Sequence, residues 1–280
     1  MPEQADGADA LAAAQKFGAS KPNVARIYDY LLGGTDHFAA DRQAAEQLIA
    51  LIPNLAALAK ANRTFLAAAV RQVARDGIRQ YLDIGAGLPT SPSVHECARA
   101  VVPDARVVYV DNDSAAVAHA QALLTGDGLI AIEGDAGQPE AIMADPRLGA
   151  LINLTEPVCV LLVSLLHFFP AAEADMIVGA FRRRMVPGSY LVISQGSGGD
   201  DVPSEDVRST YRGEATLTGR PAAEIAAYFE GFDLLPPGLV PVTEWTAAEQ
   251  GYYPRLPPQR QQDPTSVPAT ILGGVGRKST

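Results

Sequence analysis

Cysteine is scarce in this 280-residue chain: Cys97 and Cys159 lie far apart with no CxxC spacing, which excludes a disulfide framework and a thiolate metal site. Both sit in apolar surroundings that suit a buried, reduced thiol, as in the cytoplasm. Histidine is also sparse. His37, His95, His119 and His167 are scattered, with no HxxxH or mixed carboxylate cluster, so no metal site is expected. Positive charge is in deficit, 22 Lys and Arg against 32 Asp and Glu for a net charge of −10, which argues against a nucleic-acid partner. The densest basic run, Arg182 to Arg184, reads as the solvated end of a helix. No apolar run reaches the roughly 18 residues of a membrane span. The most apolar stretch, "PVCVLLVSLLHFFPAA" from Pro157, is interrupted by Ser164 and His167 and reads as a buried strand leading into a helix. The opening "MPEQADGADA" lacks a basic region and an apolar core, so no secretory leader is expected. GxSxG and Walker motifs are absent too, which removes hydrolase and P-loop readings.

What the chain does have is apolar content, 48% and spread along its length, enough for one large globular core. Residues 1–20 are Ala-rich and acidic and read as a flexible tail. Residues 21–77 read as three helices. The first runs from about Pro22 to Gly33 and Gly34, the second crosses "DRQAAEQLIALI" to Pro53, and the third carries the stripe Leu55, Leu58, Asn62, Phe65, Leu66, Ala69 and Val73 up to Gly77. Asn62 is polar on that apolar stripe, so it needs either a helix-to-helix hydrogen bond or a ligand. From residue 78 the pattern changes to short β-branched runs separated by helical stretches: "IRQYLDI", "ARVVYVD", "LIAIEGD", "VCVLLVS" and "SYLVISQ". Strands alternating with helices give βαβ units in a doubly wound, mostly parallel sheet. "LVPVTEW" and "ATILGGVG" are joined by a Pro- and Gln-rich loop, and they read as an antiparallel pair that finishes a seven-stranded sheet.

Three acids, Asp83, Asp111 and Asp135, recur at strand ends, where open parallel sheets bind their ligands. The glycines of "YLDIGAGLPT" permit a tight turn and close backbone approach at Gly85 and Gly87. A dinucleotide fingerprint wants a third glycine where Thr90 stands, and a carboxylate at Asp83 would repel a pyrophosphate. A ligand of opposite charge resolves the conflict. S-adenosylmethionine carries a sulfonium and an ammonium against one carboxylate. The Asp83, Gly85, Gly87 pattern, followed at βαβ spacing by "YVDND" and "EGDA", resembles the class I methyltransferases that use it, over residues 78 to about 195.

That resemblance implies a Rossmann-like domain over residues 78–280 with the Gly85 to Gly87 turn against the methionine part and Asp83 near its ammonium. Asp111 would accept the ribose hydroxyls, though a helix N-cap is the plain alternative, and Asn112 would flank the adenosine. Asp135 and the Ala136 amide would meet adenine, unless Asp135 serves only its Gly-flanked turn. "SLLHFFP" from Ser164 lacks the Asn/Asp-Pro-Pro-aromatic turn of enzymes that methylate base amines. His167 there suits a general base for a hydroxyl acceptor, or a structural histidine at a helix start, and Ser164 a cofactor or cap contact.

A narrower resemblance covers almost the whole chain past residue 20. "ARIYDYLLGGTDHFAADR", "NRTFL", "YLDIGAGLPT", "YVDNDS", "GLVPVTEW" and "GVGRK" are similar to an actinobacterial S-adenosylmethionine-dependent family catalogued as DUF574. Tyr28, Tyr30, Asp36, His37 and Phe38 put aromatic surface beside titratable groups, so residues 21–77 suit a lid with Gly33 and Gly34 as hinge, with plain helix packing and a glycine stop as the alternative for any one of these residues. Asn62 and Arg63 are expected at the cofactor, with the Arg63 guanidinium on the methionine carboxylate or else paired with Asp29 or Asp36. The expected function is methyl transfer by in-line displacement to a small-molecule hydroxyl, in the cytoplasm, with no metal, nucleic-acid or membrane partner. An NAD-dependent oxidoreductase and a non-catalytic regulator that binds S-adenosylmethionine are the alternatives. The acceptor pocket is expected from the lid and the loop from Gln250 to Pro268.

Overall fold

The structure, a computed structural model, describes residues 21–198, 218–245 and 269–279. The tail expected over residues 1–20 and the loop from Gln250 to Pro268 lie outside the described residues.

The five β-branched runs form β1 (Gln80–Ile84), β2 (Arg106–Asp111), β3 (Leu129–Glu133), β4 (Cys159–Val163) and β5 (Tyr190–Ser197), all mutually parallel. Two further short strands, β6 (Phe232–Leu234) and β7 (Val240–Pro241), precede β8 (Thr270–Lys278). Strand order is β3-β2-β1-β4-β5-β8-β6, with β8 antiparallel to β5 from Tyr190↔Arg277 to Ser197↔Thr270. The expected C-terminal antiparallel pairing is present, but β7 meets β8 over two residues only, because Val242–Trp245 coils into a helical turn. The three-residue β6, too short to carry a periodic signal, was not expected.

Side-chain alternation splits the core between the sheet's two faces. Leu82, Ile84, Val160 and Leu162 face helix α8 (Ala171–Arg184) through Ile177 and Phe181. Tyr81, Leu161 and Val192 face the opposite layer, led by Phe65, Val70 and Val73 of α3 (Leu55–Arg75). Asp83 shares the face of Tyr81, which turns its carboxylate toward α3. From Leu58 onward the stripe expected on α3 is buried, Asn62 included, while Leu55 at its start is only partly so. Close approach of this helix to β8 requires Gly273, where a Cβ would lie 2.9 Å from Val242 and 3.0 Å from Phe65.

Ahead of α3 come α1 (Val24–Leu32) and α2 (Ala39–Leu51). Asn23, not Pro22, starts α1: its side chain accepts from the Arg26 amide, and Gly33 ends the helix at φ +87°. Asp41 of α2 is fully buried and accepts from the Asn23 and Phe38 amides and from Arg26 Nε, each at 2.8 Å. This charge-assisted cluster holds α1 on α2, while Ile27, Leu31, Leu48, Ile52 and Ala59 pack the three helices together.

Phe65 is fully buried and packs edge-on against Trp245 at 5.5 Å between ring centroids. Phe65→Ala should therefore lower unfolding free energy by about 3–5 kcal/mol in urea titration, whereas Leu123→Ala on the exposed face of α5 (Ser114–Leu123) should change it by about 0.5 kcal/mol or less.

Candidate functional site

A cavity of about 730 Å³ opens across the C-terminal strand ends, within the range of small-molecule sites. Eleven of the twelve expected site residues line it. Asp83, Gly85, Gly87, Asp111, Asn112 and Ala136 arrive from the ends of β1, β2 and β3. Tyr28, Asn62 and Arg63 arrive from α1 and α3, and Ser164 and His167 from the turn after β4. Asp135 stands outside the wall: it is exposed, and its carboxylate accepts from the Gly137 amide at 2.9 Å and Gln138 Nε2 at 3.4 Å, the bonds of a local turn.

The glycine turn is built by backbone hydrogen bonds. Gly85 and Ala86 amides donate to the Val110 carbonyl at 2.8 and 3.1 Å, and Gly87 donates to Asp111 Oδ2 at 2.7 Å. Gly85 sits at φ +70° with Leu165 so close that a Cβ would lie 2.6 Å from its Cδ1, so glycine is required twice over. Asp111 also accepts from the Asp113 amide at 2.9 Å, which leaves each carboxylate oxygen a further lone pair. The N-cap of α5 is Asp113, not Asp111: its Oδ1 accepts from Ala115, and its Oδ2 accepts from Asn23 Nδ2 at 2.9 Å.

Asp83 is electrostatically the odd member. It is 7% exposed, and no hydrogen bond from a described residue reaches its carboxylate. Burial pushes its pKa up to about 7; Arg63 pulls it down and Asp111 adds to the rise. Asp111 is raised as well by burial, offset in part by the amides it accepts. Arg63 donates to the Thr90 and Pro92 carbonyls at 3.0 and 2.8 Å, bracing the loop beyond the glycines, while its Nε is buried without a partner. It pairs with neither Asp29 nor Asp36. Asp29 binds His37 at 3.0 Å and the Asp36 amide at 2.9 Å.

Asn62 satisfies both readings of a polar residue on an apolar stripe. Its amide nitrogen donates to Tyr28 on α1 at 3.0 Å and to Ser164 Oγ at 2.8 Å, while its buried Oδ1 has no partner. Ser164 adopts φ +53°, the only positive φ among described non-glycine residues, and its amide donates to both the carbonyl and the hydroxyl of Ser194. A left-handed serine is strained backbone, of the kind that collects at functional sites. His167 is partly exposed as a residue, yet its Nδ1 is buried and unpartnered. Burial, helped by the Arg220 guanidinium, lowers its pKa to about 4, so the imidazole is neutral at physiological pH.

Tyr30, His37 and Phe38 lie off the cavity. The Tyr30 and His37 rings meet edge-on at 5.1 Å, and Phe38 lies under Arg26 at 5.2 Å. Gly34 is pressed on Asp29, where a Cβ would be 2.0 Å from Oδ1. Sequence reading missed Arg220, which is 1% exposed and donates to the Leu166 and Phe169 carbonyls on either side of His167. Its sequence neighbourhood carries no motif. It also missed Asn23, which ties α1 to the rim of the cavity, although an Asn ahead of a helical run is an N-cap signal.

Among the described residues no cluster of three or more His, Cys, Asp or Glu could hold a metal, and no helix is long and apolar enough to cross a membrane. The S-adenosyl methyltransferase family model matches residues 10–279. A crystal structure of a candidate methyltransferase from Thermobifida fusca is 35% identical over 95% of this chain and 98% of that one, with a TM-score of 0.81. A DUF574 family protein from Streptomyces avermitilis is 33% identical over 94% of this chain and 99% of that one, also with a TM-score of 0.81. No curated protein matches the chain. A donor-less carboxylate, a glycine turn and a ribose-ready acid at parallel strand ends fit the cofactor of that family. The chain belongs to the S-adenosyl methyltransferase family and is an S-adenosylmethionine-dependent methyltransferase.

Proposed function

We propose that the cavity seats S-adenosylmethionine over β1 to β3 and directs its methyl group to the hydroxyl of a small molecule held over β4 and β5. The observation that carries this reading is the bare carboxylate of Asp83, which a cation complements and a pyrophosphate does not. Bound there, the cofactor supplies an electrophilic methyl group on a sulfonium leaving group. Asp83 faces its ammonium, the Gly85 to Gly87 turn lies along the methionine part, and Arg63 has its unpartnered Nε to offer the carboxylate. Asp111 keeps lone pairs for the ribose, Asn112 flanks the adenosine, and the Ala136 backbone serves adenine. For Asp135 to reach adenine, its turn must move toward the cavity, which its carboxylate does not line. Tyr28, Asn62 and Ser164 form the wall between the two halves, and the helices of residues 21–77 close over both as a lid that excludes water.

His167 is the group placed to receive the acceptor's proton. Its lowered pKa makes it a weaker base than free imidazole but keeps it unprotonated, with a lone pair available, across the physiological range. Membership of a methyltransferase family favours neither the nicotinamide oxidoreductase nor the non-catalytic binder.

Raising an acid's pKa to about 7 on folding means that the native state holds a proton the unfolded chain has lost. Stability from Asp83 is thus present below about pH 4 and is lost as pH rises through 7. A bound cation reverses this by favouring the carboxylate. Calorimetry in buffers of different ionisation enthalpy should show a proton released on S-adenosylmethionine binding below pH 7, with affinity rising with pH and levelling above it. Asp83→Asn should remove the proton release, weaken binding at least tenfold, and raise the melting temperature of the free protein at pH 8. Tight, pH-independent binding by that variant would refute the placement.

For His167→Gln, transfer of labelled methyl to a low-molecular-mass extract should fall about 10²- to 10⁴-fold in kcat with cofactor affinity retained. The wild-type acid limb should lie below pH 5, not near 6.5. An unchanged kcat would leave His167 a structural residue.

A further inference from the structure

The cavity changes character where the sheet changes direction. Over β1, β2 and β3 it is lined by carboxylates and the glycine turn; over β4, β5 and β8 the floor mixes Val163, Leu165 and Ile271 with the hydroxyls of Ser164, Ser197 and Thr270, and the roof of α1 to α3 above it is largely hydrocarbon. Ile27, Leu31, Leu48, Ile52, Leu55 and Leu58 line this second half from the roof. Phe168 lines it from the turn after β4. Ile27, Leu31, Leu48 and Ile52 are each 6% exposed or less and belong to one packed cluster, so this is a formed wall.

Charge in this half is as informative as hydrophobicity. Among the described residues lining the cavity, Arg63 is the one permanent cation, and its bonds to Thr90 and Pro92 hold it beside the glycine turn, in the cofactor half. Asp83, Asp111 and Asp113 are in that half too. In the other half Asp29 is engaged by His37 and the Asp36 amide, and His167 is uncharged. A carboxylate or phosphate entering here would lose its hydration and meet no cation on the described wall, since Arg220 behind His167 is 1% exposed and spends its guanidinium on the Leu166 and Phe169 carbonyls. A neutral apolar molecule loses little and buries hydrocarbon.

Resting on the cofactor placement above, we propose that the acceptor is an uncharged, predominantly apolar alcohol or phenol, and that the aliphatic roof of α1 to α3 with Phe168 sets its specificity. Acceptors that carry a carboxylate or phosphate near the reacting hydroxyl are disfavoured, because the described residues lining this half offer them no counter-charge.

The test uses the full-length protein saturated with S-adenosylhomocysteine, titrated by calorimetry at pH 8 with 1-butanol, 1-hexanol, 1-octanol and octanoate. Affinity should rise about fourfold per added methylene along the alcohols, and octanoate should bind at least tenfold more weakly than 1-octanol. Leu55 is only partly buried at the start of α3, so Leu55→Lys is a tolerable change. It should weaken 1-octanol and strengthen octanoate, with S-adenosylhomocysteine affinity unchanged as the control for folding. If that variant fails to fold, the wild-type series alone decides. Octanoate binding as tightly as 1-octanol, alcohols binding without dependence on length, or no binding to the loaded protein would overturn the proposal. Failure of S-adenosylhomocysteine to bind would instead sink the cofactor placement, and the same titrations on the free protein would still decide the chemistry of the apolar half.

Discussion

At the end of the central strand, Asp83 holds a carboxylate out of water with no hydrogen-bond donor from the described residues and only the nearby Arg63 guanidinium to ease it. Buried acids normally escape this condition by recruiting amides, as Asp41 and Asp111 do in the same molecule. Asp83 recruits none, because the glycine turn that follows spends its first amides on the Val110 carbonyl and its Gly87 amide on Asp111. The site is thereby left with an unmet demand for positive charge. A cation bound beside Asp83 would relieve that electrostatic cost, in the sense that preorganised sites trade stability for affinity.

Topology decides where that demand is met. In the order β3-β2-β1-β4-β5-β8-β6, β1 has β2 on one side and β4 on the other, so the connections leaving its two neighbours diverge and a crevice opens at its end. The β1, β2 and β3 side of the crevice is built mainly from the short turns that follow those strands, and it carries Asp83, Asp111 and Asp113. On the other side the chain returns with β8, whose Gly273 allows α3 to lie close to the strand, and α3 carries its apolar stripe over the strand ends. One crevice thus has a polar wall made of turns and an apolar wall made of helices.

The parts legible in the sequence are those in which a local rule and the tertiary structure agree. Five parallel strands, the α3 stripe, the glycine turn and the acids at strand ends follow from periodicity and turn chemistry. The parts that were not legible depend on contacts distant along the chain. Arg220 acts on residues 166 and 169, Asp41 binds Asn23, and Asn23 binds Asp113; no window of sequence contains both partners. Ser164 gives no signal of its own, since a left-handed serine is set by Ser194 and Asn62 rather than by its neighbours. Asp135 shows the converse case, an acid in register that the structure sets outside the cavity. In register with the other acids it invites a shared role, yet a Gly-flanked Asp can satisfy its own turn, and here it does.

Asn62 joins α1 to the turn after β4. Its two amide hydrogens go to Tyr28 and Ser164, so moving α1 away would strip Tyr28 of a donor and leave a buried amide hydrogen unpaired beside the already unpartnered Oδ1. Any displacement of α1 would therefore cost the desolvation of one carboxamide, unless water or a ligand took the vacated bonds. A cofactor that hydrogen-bonds to Oδ1 would supply that missing partner in the closed state alone. Such a bond would favour the position of α1 described above, through the same side chain that orders the turn ahead of His167.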